Sequence, residues 1–371
     1  MRPRGGQNLT GWTASLSTSA TVVRGAAKRF ASSIVPPVRR RCAAATRSSA
    51  ADRSGAPGVC ANRAAACRAR HNRRMEQGSV GIVGVGNMGL AMALRLRDRG
   101  AEVHVRDIDP SREALAVEAG ALRAASPAEL ARRAEVVIVA VVDAAQCEDV
   151  LFGDDGIAAA MRAGGCVVLC PTIAPASTEA IAARLAASAI DTIDAPMSGG
   201  PARARAGTMS LMVACEERVF ARRQGLLEAL ADPVFRIGER IGDGARTKLV
   251  NNLLAAVNLI GAAEAIALAE RVGLDAARTL DVIEHSSGQS WIGSDRMRRA
   301  IAGDLAPRAH TTLLAKDSAL ALAMAAAAGA APRLGDAAAA TFAGAVAAGH
   351  GGDDDASLLA FVRASEGSSG C

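Results

Sequence analysis

The chain has 371 residues, half of them hydrophobic but with only six Phe, two Trp and no Tyr, so a core large enough for two domains must be built mostly from Ala, Val, Leu and Ile. Its net charge of +6 is uneven: residues 1–74 hold fifteen bases and one acid, the remainder 28 bases and 36 acids. The acidic remainder excludes a nucleic-acid face, the absence of Tyr excludes proton transfer by a Tyr/Lys pair, and the best apolar run, 253–269, is interrupted by Asn258 and Glu264, which speaks against a membrane protein.

Residues 1–75 read as a disordered basic leader outside the native fold. They are rich in Arg, Ala, Ser and Gly, almost free of acids and without apolar periodicity. The composition matches a mitochondrial transit peptide. It matches equally an upstream extension of the reading frame in a GC-rich bacterial genome, with Met75 just before the first strand; the extension is the preferred reading, and the protein is expected to be cytoplasmic.

From residue 79 the pattern alternates. Strands are predicted at 79–83, 102–105, 136–141, 166–169 and 192–194, with helices at 88–98, 112–119, 127–133 and 178–187. Apolar strands separated by helices predict an α/β fold, a mostly parallel sheet covered on both faces over residues 76–240. A further strand pair, 209–214 and 234–237, flanks a helix at 217–230 and extends the sheet. Beyond residue 240 the composition turns helical, with segments at 244–272, 275–284, 294–302, 309–329 and 334–348, which predicts an all-α domain over 241–371.

Eight Cys lack any CxxC pair or His at ligand spacing. They read as small core hydrophobes in a reducing compartment, and no metal is expected.

Three motifs carry chemistry. Gly84, Gly86 and Gly89 follow the first strand and open a helix, the context in which GxGxxG receives a dinucleotide pyrophosphate. The second strand leads to Asp107, whose carboxylate can hold the adenosine ribose hydroxyls and repels a 2'-phosphate; the next residue is Ile108 rather than Arg. NAD is therefore expected over NADP. Next, Asp194-Ala195-Pro196-Met197-Ser198-Gly199-Gly200-Pro201 follows a strand at its carboxyl end, where a hydroxyl and backbone N–H groups can cradle a small anion, although the same string suits a plain surface turn. Third is Gly244-x-x-x-Lys248-x-x-x-Asn252, on one face of a helix. Lysine occurs three times in the chain against forty Arg, so a retained Lys248 points to proton transfer, which Arg cannot perform. Gly244 is expected to clear space.

Together the glycine fingerprint with Met88, the DAPMSGG string, the GxxxKxxxN helix and the later Lys316-Asp317 resemble the β-hydroxyacid dehydrogenase family over about residues 79–365. The resemblance implies a Rossmann domain, then a helical domain that contributes to a homodimer or homotetramer, and oxidation of a small hydroxy acid with NAD. It implies Lys248 as catalytic acid/base, and Ser198, Gly199, Gly200 and Asn252 around the substrate carboxylate. Cofactor contacts fall to Gly84, Gly86, Asn87, Met88, Gly89 and Asp107, then to Val141, Val142, Thr172 and Lys316. The string Val141-Val142-Asp143-Ala144-Ala145-Gln146 departs from the family's usual Leu-Pro turn. That departure and His285-Ser286-Ser287-Gly288-Gln289-Ser290-Trp291 look most similar to the L-threonate dehydrogenases, with Gln289 facing the distal hydroxyls of the substrate and His285 either a neighbour or a plain helix end. Relatives acting on 3-hydroxyisobutyrate or tartronate semialdehyde are the alternative. An imine-reducing enzyme shares the architecture but usually replaces the lysine. A non-catalytic NAD-sensing protein would explain the basic leader, against which the acidic folded part speaks.

Overall fold

A computed structural model describes residues 78–367; the leader and its proposed boundary at residue 75 lie outside the described residues. Strands β1 (Val80–Val83), β2 (Val103–Arg106), β3 (Leu122–Arg123), β4 (Val136–Val139), β5 (Cys166–Leu169) and β6 (Asp191–Asp194) run parallel in the order 3-2-1-4-5-6. That is the doubly wound dinucleotide-binding order, with ligands received outside the carboxyl ends of the strands. The short β7 (Met197–Ser198) and β8 (Met209–Ala214) pair antiparallel, β8 also pairs antiparallel with β6, and β9 (Ala231–Gly238) pairs parallel with β8, so the late strands extend the sheet as expected.

The central strands are buried on both faces because their side chains are Val, Ile, Leu and Cys throughout. One face is covered by α1 (Asn87–Asp98), α2 (Pro110–Glu118) and α8 (Glu217–Leu230), the other by α3 (Pro127–Arg133), α4 (Ala144–Phe152), the single-turn α5 (Ile157–Ala160) and α6 (Pro175–Ala187). A short α7 (Gly200–Ala206) follows β7. Cys147, Cys166, Cys170 and Cys215 are free and buried. Burial pushes the first three thiols up to about 12 and Cys215 to about 11, so they serve as core atoms.

Strand β4 stops at Val139 rather than running to residue 141. Its next residues turn under the glycine loop, where Asp143 caps α4 through the Gln146 N–H (2.9 Å) and the Gln146 side chain returns to the Val142 N–H (2.9 Å). This reciprocal cap accounts for the helix α4 that the apolar pattern alone does not reveal.

The second half is helical: α9 (Asp243–Arg271), α10 (Ala276–Glu284), α11 (Trp291–Ile301), α12 (Thr311–Ala327), α13 (Arg333–Ala347) and α14 (Leu358–Gly367). The 29-residue α9 is long and apolar enough to cross a membrane by length and composition, despite its polar interruptions. Here it is the central helix, packed against α10 to α14 around Leu259, Ile266, Met297 and Phe342. It also joins the halves. Asp194, at the end of β6, accepts the N–H groups of Gly242 (2.9 Å) and Ala245 (3.1 Å) in the first turn of α9. Gly244 is required for this approach, since a Cβ there would meet the Met212 carbonyl oxygen at 2.6 Å and the Asp194 carboxyl carbon at 2.9 Å. The space that Gly244 clears is thus taken up by the sheet.

Candidate active site

The glycines of the first βα turn have three separate tasks. Gly84 has φ +90°, and a Cβ on it would stand 2.8 Å from the Ala140 carbonyl oxygen. Gly89 has no room for a side chain, the Gly84 carbonyl oxygen lying 1.8 Å from where a Cβ would be; around Gly86 nothing lies within 4 Å. The open face at Gly86 is the N-terminus of α1, which has no side-chain cap and no acid in its first turn, so its N–H groups suit a pyrophosphate. Asp107 stands at the same end, its Oδ2 accepting the Val85 N–H (2.6 Å) and its Oδ1 the Asp109 N–H (2.9 Å). A ribose diol at this carboxylate and a pyrophosphate at α1 fit the residues present.

Asn87 ties this loop to the helical half. Its Nδ2 donates to the carbonyls of Pro307 (3.4 Å) and Arg308 (3.3 Å), while its Oδ1 accepts from Arg112 (3.3 Å). The segment it meets is itself fixed: buried Asp354 accepts the N–H groups of Arg308 (2.7 Å) and Ala309 (3.2 Å) and pairs with buried Arg299 (2.8 Å). Arg112 was not anticipated, because it lies five residues beyond Asp107 and reaches the loop only through the fold.

Lys248 and Asn252 are buried one turn apart on α9. Burial pushes the Lys248 ammonium down to about 8, Asp317 opposing and Lys316 assisting the shift. Asn252 donates to Asp317 Oδ2 (2.6 Å). The other oxygen of Asp317 accepts from Lys316 Nζ (2.7 Å), which also donates to the Thr172 carbonyl (2.5 Å) in the loop after β5. Asp317 therefore orders Asn252 and Lys316 at once, a task that its place in the Lys316-Asp317 motif does not reveal. One signal was available: in the apolar α12 the only charged residues are the adjacent Lys316 and Asp317.

Ser198 ends β7 opposite Ser210, and two residues further along β8 the Met212 carbonyl meets Gly244 of α9, which brings the Ser198 loop to the start of the lysine helix. Gly199 (φ +123°) and Gly200 (φ +74°) follow, and nothing crowds Gly200. On the next turn Arg203 lies over the Trp291 ring at 6.0 Å, with Arg296 at 5.8 Å on the same ring. This contact brings the 285–291 segment beside the Ser198–Gly200 loop. Gln289 is exposed there, and His285 Nδ1 bonds the Asp281 carbonyl of its own helix (2.8 Å), as a helix-end histidine does. Val142 is half exposed beside the glycine loop. A cavity of about 420 Å³ lined by Asp191, Arg218 and Arg222 lies at the amino end of β6, away from all these groups.

Residues 79–238 match the NAD binding domain of 6-phosphogluconate dehydrogenase, and residues 242–362 match the NAD-binding domain of NADP-dependent 3-hydroxyisobutyrate dehydrogenase. L-threonate dehydrogenase of Cupriavidus necator is 39% identical over 281 residues, 76% of this chain and 95% of that one. The chain belongs to the β-hydroxyacid dehydrogenase family. The crystal structure of 3-hydroxyisobutyrate dehydrogenase from Salmonella typhimurium superposes on this dehydrogenase with a TM-score of 0.72 at 36% identity, covering 76% of this chain and 99% of that one. 3-Hydroxyisobutyrate dehydrogenase of Pseudomonas aeruginosa is 37% identical over 57% of this chain and 71% of its own length. As a member of the family, this dehydrogenase is an NAD-dependent oxidoreductase acting on hydroxy acids, with a Rossmann half followed by a helical half.

Proposed function

We propose that the enzyme oxidises L-threonate to 2-oxo-tetronate. The observation that carries the substrate choice is the 39% identity to an L-threonate dehydrogenase over nearly its whole length. The geometry gives the reading its chemistry. A bound nicotinamide supplies the hydride acceptor. Neutral Lys248 takes the proton of the reacting hydroxyl, and in reduction its ammonium returns one; burial already holds this lysine close to neutral pH. Ser198 and the open backbone of Gly199 and Gly200 hold the substrate carboxylate, Asn252 orients it through a side chain fixed by Asp317, and Gln289 meets the distal hydroxyls. Gly84, Gly86, Asn87, Met88, Gly89 and Asp107 hold the adenosine diphosphate half of the cofactor. Val141, Val142, Thr172 and Lys316 line its nicotinamide end.

Gln289 is exposed in the free chain and is covered once substrate binds, so a branched aliphatic acid is disfavoured because a polar group covered without a partner costs about 1–3 kcal/mol. L-threonate should therefore exceed 3-hydroxyisobutyrate in kcat/KM by about tenfold or more, one factor of ten corresponding to about 1.4 kcal/mol. Following NADH absorbance with both acids at matched enzyme concentration checks this. Equal rates, or preference for 3-hydroxyisobutyrate or tartronate semialdehyde, would reassign the substrate within the family. The same reading takes residues 76–240 and 241–371 as the two functional halves, residues 1–75 as dispensable, and the enzyme as a cytoplasmic homodimer or homotetramer.

A further inference from the structure

The loop assigned to the substrate carboxylate carries no charge of its own. Ser198 offers a hydroxyl, and Gly199 and Gly200 offer only backbone. The chain beyond residue 74 holds more acids than bases, so its general field disfavours an anion unless a cation stands beside the loop.

Arg203 stands there. Its stem lies along Gly199: a Cβ on that glycine would meet the Arg203 Cδ at 3.1 Å and its Nε at 3.3 Å. Thr208 holds the residue from two sides, donating its N–H to the Arg203 carbonyl (2.8 Å) and accepting the Nε–H at its own carbonyl (2.9 Å). The Trp291 ring faces the guanidinium carbon at 6.0 Å from the helical half. The group is thus fixed at Nε and set against a ring, while Nη1 and Nη2 have no hydrogen-bond or carboxylate partner among the described residues. Nearby arginines do have such partners. Arg205 pairs with Asp98, Arg296 with Asp295 and Asp355, and Arg298 with Asp281 and Glu284. A guanidinium presents a planar fork of donors that matches the two oxygens of a carboxylate, and a fork already held in place loses little freedom on binding one.

We infer that Arg203 is a specificity-determining residue, its Nη1 and Nη2 donating to the substrate carboxylate held at Ser198–Gly200. The inference rests on the reading of that loop as the carboxylate site and adds the charge that the loop lacks. It makes the enzyme select hydroxy acids against neutral hydroxy compounds of the same shape.

The test compares L-threonate with its carboxamide, which keeps the shape and removes the charge, in the parent, Arg203→Met and Trp291→Leu, with circular dichroism to follow the fold. In the parent, kcat/KM should favour the acid by about ten- to hundredfold, the range for a hydrogen bond to a charged group. Arg203→Met should lose most of that preference through a higher KM for the acid, with kcat kept within about threefold and the carboxamide unaffected. Trp291→Leu removes the ring but leaves the guanidinium, so it should keep the preference. Calorimetric titration of both compounds into the complex with NADH, where no hydride can transfer, should give the same pattern in Kd and reads a slow variant equally well. A parent indifferent to the charge overturns the carboxylate loop and this inference together. A parent that prefers the acid, with Arg203→Met preferring it as strongly, overturns the role of Arg203 alone. So does an equal loss for acid and carboxamide in Arg203→Met, or the same loss of preference in Trp291→Leu, since either would reduce Arg203 to a contact that holds the 285–291 segment. Where another hydroxy acid proves the better substrate, that acid and its carboxamide replace this pair, so the substrate assignment and Arg203 are judged separately.

Discussion

In the proposed reaction, Lys248 is the residue on which the chemistry turns. Its proton must be absent for oxidation, and its burial sets the pH at which that happens. Below about pH 8 the ammonium form dominates and cannot accept a proton, so kcat/KM for hydroxy-acid oxidation should rise with pH, reach half its maximum near pH 8 and level off above it. Lys248→Arg keeps the charge but cannot release its proton, so this rising limb should vanish and turnover fall by about two to four orders of magnitude while NAD still binds. Near-normal turnover in that variant would remove the lysine from the mechanism. At the other end of the cofactor, Asp107→Asn removes the charge that repels a 2'-phosphate and leaves Arg112, already 3.3 Å from Asn87 in the same loop, able to meet it. The ratio of kcat/KM for NADP to that for NAD should increase; a parent enzyme that already prefers NADP would refute the reading of Asp107. As a candidate, Lys248 was legible because lysine is so rare in this chain, and Asn252 because it lies one helical turn on. Asp317 was not, because its task appears only when α12 packs against α9 and brings its carboxylate to Asn252.

Among the elements, the junction of β6 with α9 matters most. Asp194 satisfies N–H groups in the first turn of a 29-residue helix, and burial holds its carboxyl up at about 6 despite those donors. Asp194→Ala leaves these buried N–H groups without an acceptor and should destabilise the protein by about 2 kcal/mol or more. Urea denaturation measures the loss, and an unchanged midpoint would show that water or a local shift replaces the carboxylate. The long strands and helices were legible from their period. The two-residue β3 and β7 were not, since two residues carry no alternation, and α4 was hidden by a capping pattern that reads as a departure in a turn rather than as a helix start. The DAPMSGG string was only partly legible: the turn pattern does not announce that its Asp holds the first turn of the next domain.

In the whole molecule, the two halves meet at several separate points: Asp194 with the start of α9, Lys316 with the Thr172 carbonyl, and Asn87 with the 307–308 backbone. Their order along the chain was legible from the change of pattern near residue 240, but none of these joints was, since each pairs residues remote in sequence. The first joint fixes the leverage of the helical half. With a fulcrum at Asp194, Lys248 lies about one turn of helix, roughly 5 Å, along α9, whereas the far end of the helix is roughly 40 Å away. A tilt of about 10° would carry that far end by roughly 7 Å and the lysine by less than about 1 Å. A small tilt of α9 about this joint therefore leaves Lys248 almost in place above the sheet, and the contacts at Thr172 and Asn87 limit how far such a tilt can go.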